Sequence, residues 1–163
     1  MSWLIAALTL VLALRVIQVF LSLANRSGAS LYTRYVSLFS PAEMAFMRVL
    51  DRAVGHHYRI FAKIRVADVI DLRPDLDRRS HRRAFNRIRA KHFDFVLCNP
   101  RDFSITGVIE LNDASHLLKK RARRDAFLID ICNDIGLPIL MVRARHSYSA
   151  FELRSVIEKN FYD

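Results

Sequence analysis

The sequence predicts an α/β domain, a mixed sheet flanked by helices, carried behind an N-terminal transmembrane helix. Three observations lead there. The chain opens on a long apolar run. Its remainder alternates helical and strand periodicity in the order helix, strand, basic helix, strand, strand, helix, strand, helix, the pattern of helices layered on a sheet. Third, two short apolar strands joined by a turn of Asn99, Pro100, Arg101 and Asp102 read as a hairpin, and each strand carries one carboxylate, Asp94 in FDFVL and Glu110 in VIEL.

From Trp3 to Ala24, 18 of 22 residues are apolar, the exceptions being Thr9, Arg15, Gln18 and Ser22. As a helix this run spans about 33 Å, enough to cross a bilayer. A central Arg15 costs roughly 2.5 to 3.5 kcal/mol, and each Leu, Ile, Val or Phe returns a few tenths. Thirteen such residues carry the segment in. Arg15, Gln18 and Ser22 share one helical stripe, which can face a partner helix or let Arg15 reach the headgroups. A cleaved signal peptide is the rival reading, but its basic n-region is missing. Arg26 and Arg34 follow the span, so the positive-inside rule puts the rest of the chain in the cytoplasm.

The expected division is residues 1–25 as anchor, 26–39 as juxtamembrane linker and 40–163 as the α/β domain. Ser40, Pro41 and Glu43 mark its first helix as N-cap, first helical position and capping-box partner. Ala45, Phe46, Val49 and Leu50 form the apolar face of that helix, which ends at Gly55. His56 and His57 adjoin in a loop and read as surface residues. Tyr58 to Ile64 reads as a strand, followed by an apolar stretch from Val66 to Leu72. Arg73 to Lys91 holds eight Lys or Arg and only a narrow stripe of Ala84, Phe85 and Ile88, a basic helix with much of its circumference exposed. After the hairpin, Leu118 to Ile135 is helical and opens on a second basic cluster, KKRARRD. Pro138 to Val142 reads as a buried strand, and Ser149 opens a last amphipathic helix through Phe151, Leu153, Val156 and Ile157.

The formal charge is +10, from 26 Lys and Arg against 16 Asp and Glu, and the basic residues cluster. A polyanion is the natural partner, nucleic acid or an anionic membrane face. Arg79, Arg82, Arg83, Lys119, Lys120 and Arg123 are the candidate phosphate contacts. Cys98 and Cys132, the two cysteines, both lie in apolar runs. They exclude a four-cysteine zinc site and a disulfide framework and read as buried thiols in a reducing compartment.

A carboxylate in an apolar strand is costly unless it is paired, hydrogen-bonded or bound to a cation. Neighbouring strands would bring Asp94 and Glu110 together, where their charges repel unless a cation sits between them. With Asn112 and His116 just beyond, the set looks like oxygen-rich ligands for Mg²⁺ or Mn²⁺, an ion that could activate water and hold a phosphate. Purely structural carboxylates are the competing reading.

The segments SPAEMAF, FAKIRVADVI, KHFDFVLCNP, VIELNDASH, RRDAF and GLPILMVRA together resemble the PD-(D/E)XK nuclease superfamily, whose restriction-endonuclease-like core runs helix, strand, strand, strand, helix, strand. Within it, the chain looks like the bacterial family called domain of unknown function 2726 and is similar to short-patch-repair-like endonucleases carrying E-x-D-x-x-x-H. The resemblance covers roughly Leu38 to Ile157. It implies Glu43, Asp94 and Glu110 as acidic site residues, His116 and the pair Arg124 and Asp125 as companions, and a divalent metal that activates water for phosphodiester cleavage. Arg124 and Asp125 equally suit a structural ion pair. Asn112 stands where the superfamily has lysine and this branch usually aspartate, and Leu128 where the branch has lysine. Lys63 or His116 could supply the missing base or charge. Three functions therefore stay open: a metal-dependent nuclease anchored in the bacterial inner membrane, a degenerate relative that binds nucleic acid without cutting it, and a scaffold whose basic helix lies on anionic lipid.

Overall fold

The computed structural model describes residues 2–26, 31–112 and 118–161. Two compact units are present, Met1–Leu38 and Phe39–Asp163. The first contains one long helix, α1 (Ser2–Arg26). Within it Ser2–Ser22 has a mean hydropathy of 2.4 and none of it is buried. It is long and apolar enough to cross a membrane. Thr9 donates its hydroxyl to the Ala6 carbonyl at 2.9 Å and Ser22 donates to Val19 at 2.8 Å. Two of the polar side chains in the run are thereby satisfied by the helix's own backbone, which lowers their cost in an apolar surrounding.

The second unit is mixed α/β. It runs α2 (Pro41–Val54), β1 (Arg59–Arg65), α3 (Val66–Val69), α4 (Arg78–Ile88), β2 (His92–Cys98), β3 (Ile105–Asn112), α5 (Leu118–Asp134), β4 (Ile139–Arg143) and α6 (Ala150–Phe161). The sheet has four strands in the order β1-β2-β3-β4. Strand β2 pairs antiparallel with β1 and β3, and β4 lies parallel to β3. A parallel neighbour needs a long crossover, and α5 supplies it.

Helix α2 begins where the capping box predicts. Glu43 N–H donates to Ser40 Oγ at 3.4 Å, and Ser40 N–H donates to Glu43 Oε2 at 2.8 Å. It ends on Gly55, whose φ of +54° suits glycine and whose N–H donates to the Asp51 carbonyl. The basic helix is shorter than the charge run suggests and starts at Arg78. Asp77 is its N-cap, accepting from Arg79 and Ser80 N–H, while Arg73 is drawn into a loop ion pair with Asp75. The apolar stretch after β1 forms the single turn α3. In the hairpin turn Asn99 Oδ1 accepts from Arg101 N–H and Asp102 Oδ1 from Ser104 N–H, the side-chain mimicry expected of Asn and Asp.

Side-chain alternation divides the sheet between two cores. Phe95, Leu97 and Ile109 join Phe46 and Leu50 of α2 and Leu153, Ile157 and Phe161 of α6. Val96, Cys98 and Val108 join Val66 of α3, Ile88 of α4, and Leu128 and Cys132 of α5. The result is a sheet with helices on both faces. At Gly107 the chain needs the smallest residue, because a Cβ there would come 2.7 Å from the Phe161 ring.

Candidate functional site

Asp94 lies in β2 and Glu110 in β3, each one step beyond the Phe95–Ile109 register pair of these antiparallel strands. Asp94 Oδ2 accepts the Leu111 N–H at 2.9 Å, so this carboxylate is held by the backbone of the neighbouring strand. Its other oxygen, Oδ1, lies 3.6 Å from the Lys63 ammonium. The same ammonium donates to Glu43 Oε1. Three elements, the first turn of α2, the middle of β1 and the start of β2, thus bring together two acids and one base.

Lys63 is held there in an unusual backbone conformation. It and Phe103 are the non-glycine residues of positive φ among those described, and Lys63 has φ +57° inside a strand. The register is continuous on both sides, with Ala62 opposite Phe95 and Ile64 opposite Phe93. Yet Ala62 and Phe95 belong to the first core, whereas Ile64 and Phe93 belong to the second. Both strands therefore change face at the pair Lys63 and Asp94. A left-handed residue at this step reverses the side-chain alternation and turns Lys63 toward the acids, at a backbone cost of about 1 kcal/mol or more.

The cluster is partly buried, with side-chain exposures of 31% for Lys63, 16% for Glu43 and 14% for Asp94. Burial alone would raise the Glu43 carboxyl. The hydrogen bonds from Lys63 and Ser40 and the Lys63 charge outweigh it, and its pKa falls below the ordinary 4.5. Burial likewise works against the Lys63 ammonium, but the hydrogen bond to Glu43 and the charge of Asp94 outweigh it and raise its pKa above the ordinary 10.5. Each group fixes the charged form of the other.

Glu110 is 3% exposed, and its charge reaches Cys132 of the second core. Burial, and then the Glu110 charge, push the Cys132 thiol up to about 11. Cys98 and Cys132 are both free and buried. Leu128, which stands where relatives are expected to carry lysine, is fully buried in the same core. Asn112 is exposed at the end of β3, and its carbonyl accepts the Ala144 N–H. His116 lies outside the described residues, as do the side chains of Lys119, Lys120, Arg123, Arg124 and Asp125.

Sequence reasoning names Glu43, Asp94, Glu110 and Lys63 individually, but not the ammonium joining the first two of these. A lysine in the alternating run FAKIR is the visible trace of it. A divalent ion would need several convergent oxygens. Both Glu43 oxygens and both Asp94 oxygens already face Lys63 or a backbone N–H. Among the described residues no group of three or more His, Cys, Asp or Glu is placed to hold a metal ion. As they stand, Glu43 and Asp94 hold an ammonium between them.

The second feature is α4. Arg78, Arg82 and Asn86 form one i, i+4 row and Arg79, Arg83 and Arg87 the next, and together they make one arginine-rich face of the helix. No acid interrupts the helix. Arg87 also lies over the Phe127 ring of α5 at 4.2 Å, with Lys91 Nζ at 5.3 Å, contacts that hold this end of α4 against α5. Like charges four residues apart destabilise a helix by about 0.2 to 0.5 kcal/mol per pair, a cost that an anionic partner would relieve.

A family model described as Protein of unknown function (DUF2726) matches residues 35–160. The chain belongs to the DUF2726 family. The matched DUF2726 region takes in the whole sheet and leaves out the apolar helix α1. No curated protein and no solved structure matches this DUF2726 chain.

Proposed function

We propose that this DUF2726 member is a membrane-anchored, nuclease-like domain of the restriction-endonuclease-like fold that binds the phosphodiester backbone of nucleic acid without depending on a metal ion. The observation that carries the reading is the acid-free arginine face of α4, a row of donors suited to phosphate oxygens. With α3 and α4 set aside as an insertion between β1 and β2, the order α2, β1, β2, β3, α5, β4 supports the fold assignment, since it follows the helix, strand, strand, strand, helix, strand core. Length and hydropathy of α1 support the anchor, and Arg26 and Arg34 support a cytoplasmic domain in a bacterial inner membrane.

The chemistry available to the domain follows from its side chains. The guanidinium groups of α4 hold backbone phosphates. Lys63, with its charge kept by Glu43 and Asp94, offsets part of the negative charge of those two acids and so weakens their repulsion of a polyanion. A second reading, Mg²⁺- or Mn²⁺-dependent phosphodiester hydrolysis with Asp94, Glu110 and Asn112 as ligands and Glu43 and His116 beside them, draws on the neighbouring-strand placement of Asp94 and Glu110. It requires Lys63 to release Asp94.

Fluorescence anisotropy of the full chain in uncharged detergent micelles, with labelled DNA and RNA, tests the proposal, followed by incubation of the same mixtures with Mg²⁺ or Mn²⁺. Binding without cleavage is expected. Cleavage abolished by Asp94→Ala and by Glu110→Ala would replace the proposal with the second reading. Retention on anionic vesicles without affinity for either nucleic acid would replace it with a lipid-surface scaffold.

A further inference from the structure

We infer that Lys63 is the resident cation of the Glu43–Asp94 cluster and is what keeps divalent ions out of it, so that removing this one ammonium converts the cluster into a cation-binding site. The inference deepens the metal-free reading above and rests on it, but it is measured without nucleic acid.

Three independent features support it. First, each carboxylate is oriented by a contact that does not involve Lys63: Ser40 N–H holds Glu43 Oε2 at 2.8 Å and Leu111 N–H holds Asp94 Oδ2 at 2.9 Å. The remaining oxygens, Glu43 Oε1 and Asp94 Oδ1, converge on one point, and the ammonium occupies it. With Lys63 gone, two preset carboxylates would share that point, the arrangement that recruits a hard cation. Second, the protein holds Lys63 there against its backbone preference, at φ +57°. The register pairs on either side, Ala62 with Phe95 and Ile64 with Phe93, leave it no freedom to withdraw by a slip of the strand. Third, the side chain is only 31% exposed and the acids less so, which excludes much of the water that would otherwise screen the pairs. A covalently tethered cation in such a place needs no concentration to stay bound, whereas a metal must arrive from solution and displace it.

The test is Mn²⁺ uptake by the full chain in uncharged micelles, read as loss of the electron paramagnetic resonance signal of free Mn²⁺. Four proteins are compared: wild type, Lys63→Arg, Lys63→Gly, and Lys63→Gly combined with Asp94→Asn. Glycine is chosen because it accepts φ +57° without strain. Lys63→Met carries the same comparison should the glycine variant fail to give the wild-type circular dichroism spectrum. The wild type and Lys63→Arg are expected to take up no Mn²⁺ that depends on Asp94. Lys63→Gly is expected to bind at least about tenfold more tightly than wild type, the factor that about 1.4 kcal/mol of removed competition gives, and the added Asp94→Asn to abolish the gain. Asp94-dependent uptake by the wild type overturns the inference, as does a folded Lys63→Gly that responds as the wild type does. Neither result touches the anisotropy measured with nucleic acid, so failure here and failure of the phosphate-binding reading are told apart.

Discussion

Replacing Lys63 by methionine keeps most of the length of the side chain and removes its charge. Two partly buried acids, Glu43 and Asp94, then lose their shared ammonium. A fully buried pair broken on one side costs about 3 to 5 kcal/mol. With the lysine side chain 31% exposed, solvent replaces part of the lost interaction, and the expected loss is about 2 kcal/mol. Lys63→Gly loses the same pairs but is freed of the strain at φ +57°, so it should stand about 1 kcal/mol above Lys63→Met. The pH dependence has a definite sign. The Glu43 carboxyl is lowered from 4.5, so its stabilisation is present above that value and is lost as pH falls through the lowered one. The Lys63 ammonium is raised from 10.5, so its stabilisation is full below that value and is lost as pH rises through the raised one. The gap between wild type and Lys63→Met is therefore widest between these limits and closes as pH falls through the lowered Glu43 value or rises through the raised Lys63 value. Urea unfolding of the full chain in detergent, followed by far-UV circular dichroism across that range, measures it. A gap that does not change with pH, or a glycine variant no more stable than the methionine one, would refute the reasoning.

Two further outcomes follow from the packing. Gly107→Ala drives a methyl group to 2.7 Å from the Phe161 ring and should lower stability by about 1 to 3 kcal/mol, with Phe161→Leu restoring part of the loss in a double-mutant cycle. Cys132, fully buried with its thiol pushed up to about 11, should resist a disulfide reagent at about pH 8 in the native protein and react once the chain is unfolded; Glu110→Gln should shift its reactivity toward lower pH by removing the neighbouring charge.

Much of the fold is legible in the sequence because its signals are local. Ser40, Pro41 and Glu43 announce α2 through a hydrogen-bonding pattern that closes within four residues, and Gly55 ends it for a reason internal to its own φ. Asn99 and Asp102 turn the chain between β2 and β3, which places Asp94 and Glu110 on neighbouring strands before any tertiary contact is known. The start of α4 is less legible, since Arg73 and Arg78 look alike in a charge run and only the cap at Asp77 separates loop from helix. The least legible feature is the role of Lys63. Alternation in FAKIR gives no hint that the strand reverses its faces at that residue, because the reversal depends on where Phe93 and Ile64 find their core. Sequence reasoning infers a cation between acids from the cost of placing carboxylates in strands. For Asp94 the partner is the protein's own Lys63 ammonium, shared with Glu43 of α2 rather than with Glu110.

The arginine face of α4 is the centre of the functional account, and the salt dependence of nucleic-acid affinity tests it most directly. Each phosphate neutralised on duplex DNA contributes a slope of about −0.9 to the plot of log affinity against log salt. If Arg79, Arg82 and Arg83 each hold one phosphate, replacing all three by alanine should flatten the slope by about 2.7 and leave the variant about 40-fold less sensitive to a rise from about 50 to about 200 mM salt. A slope unchanged by the triple substitution, in a variant that retains the wild-type circular dichroism spectrum, would contradict the account.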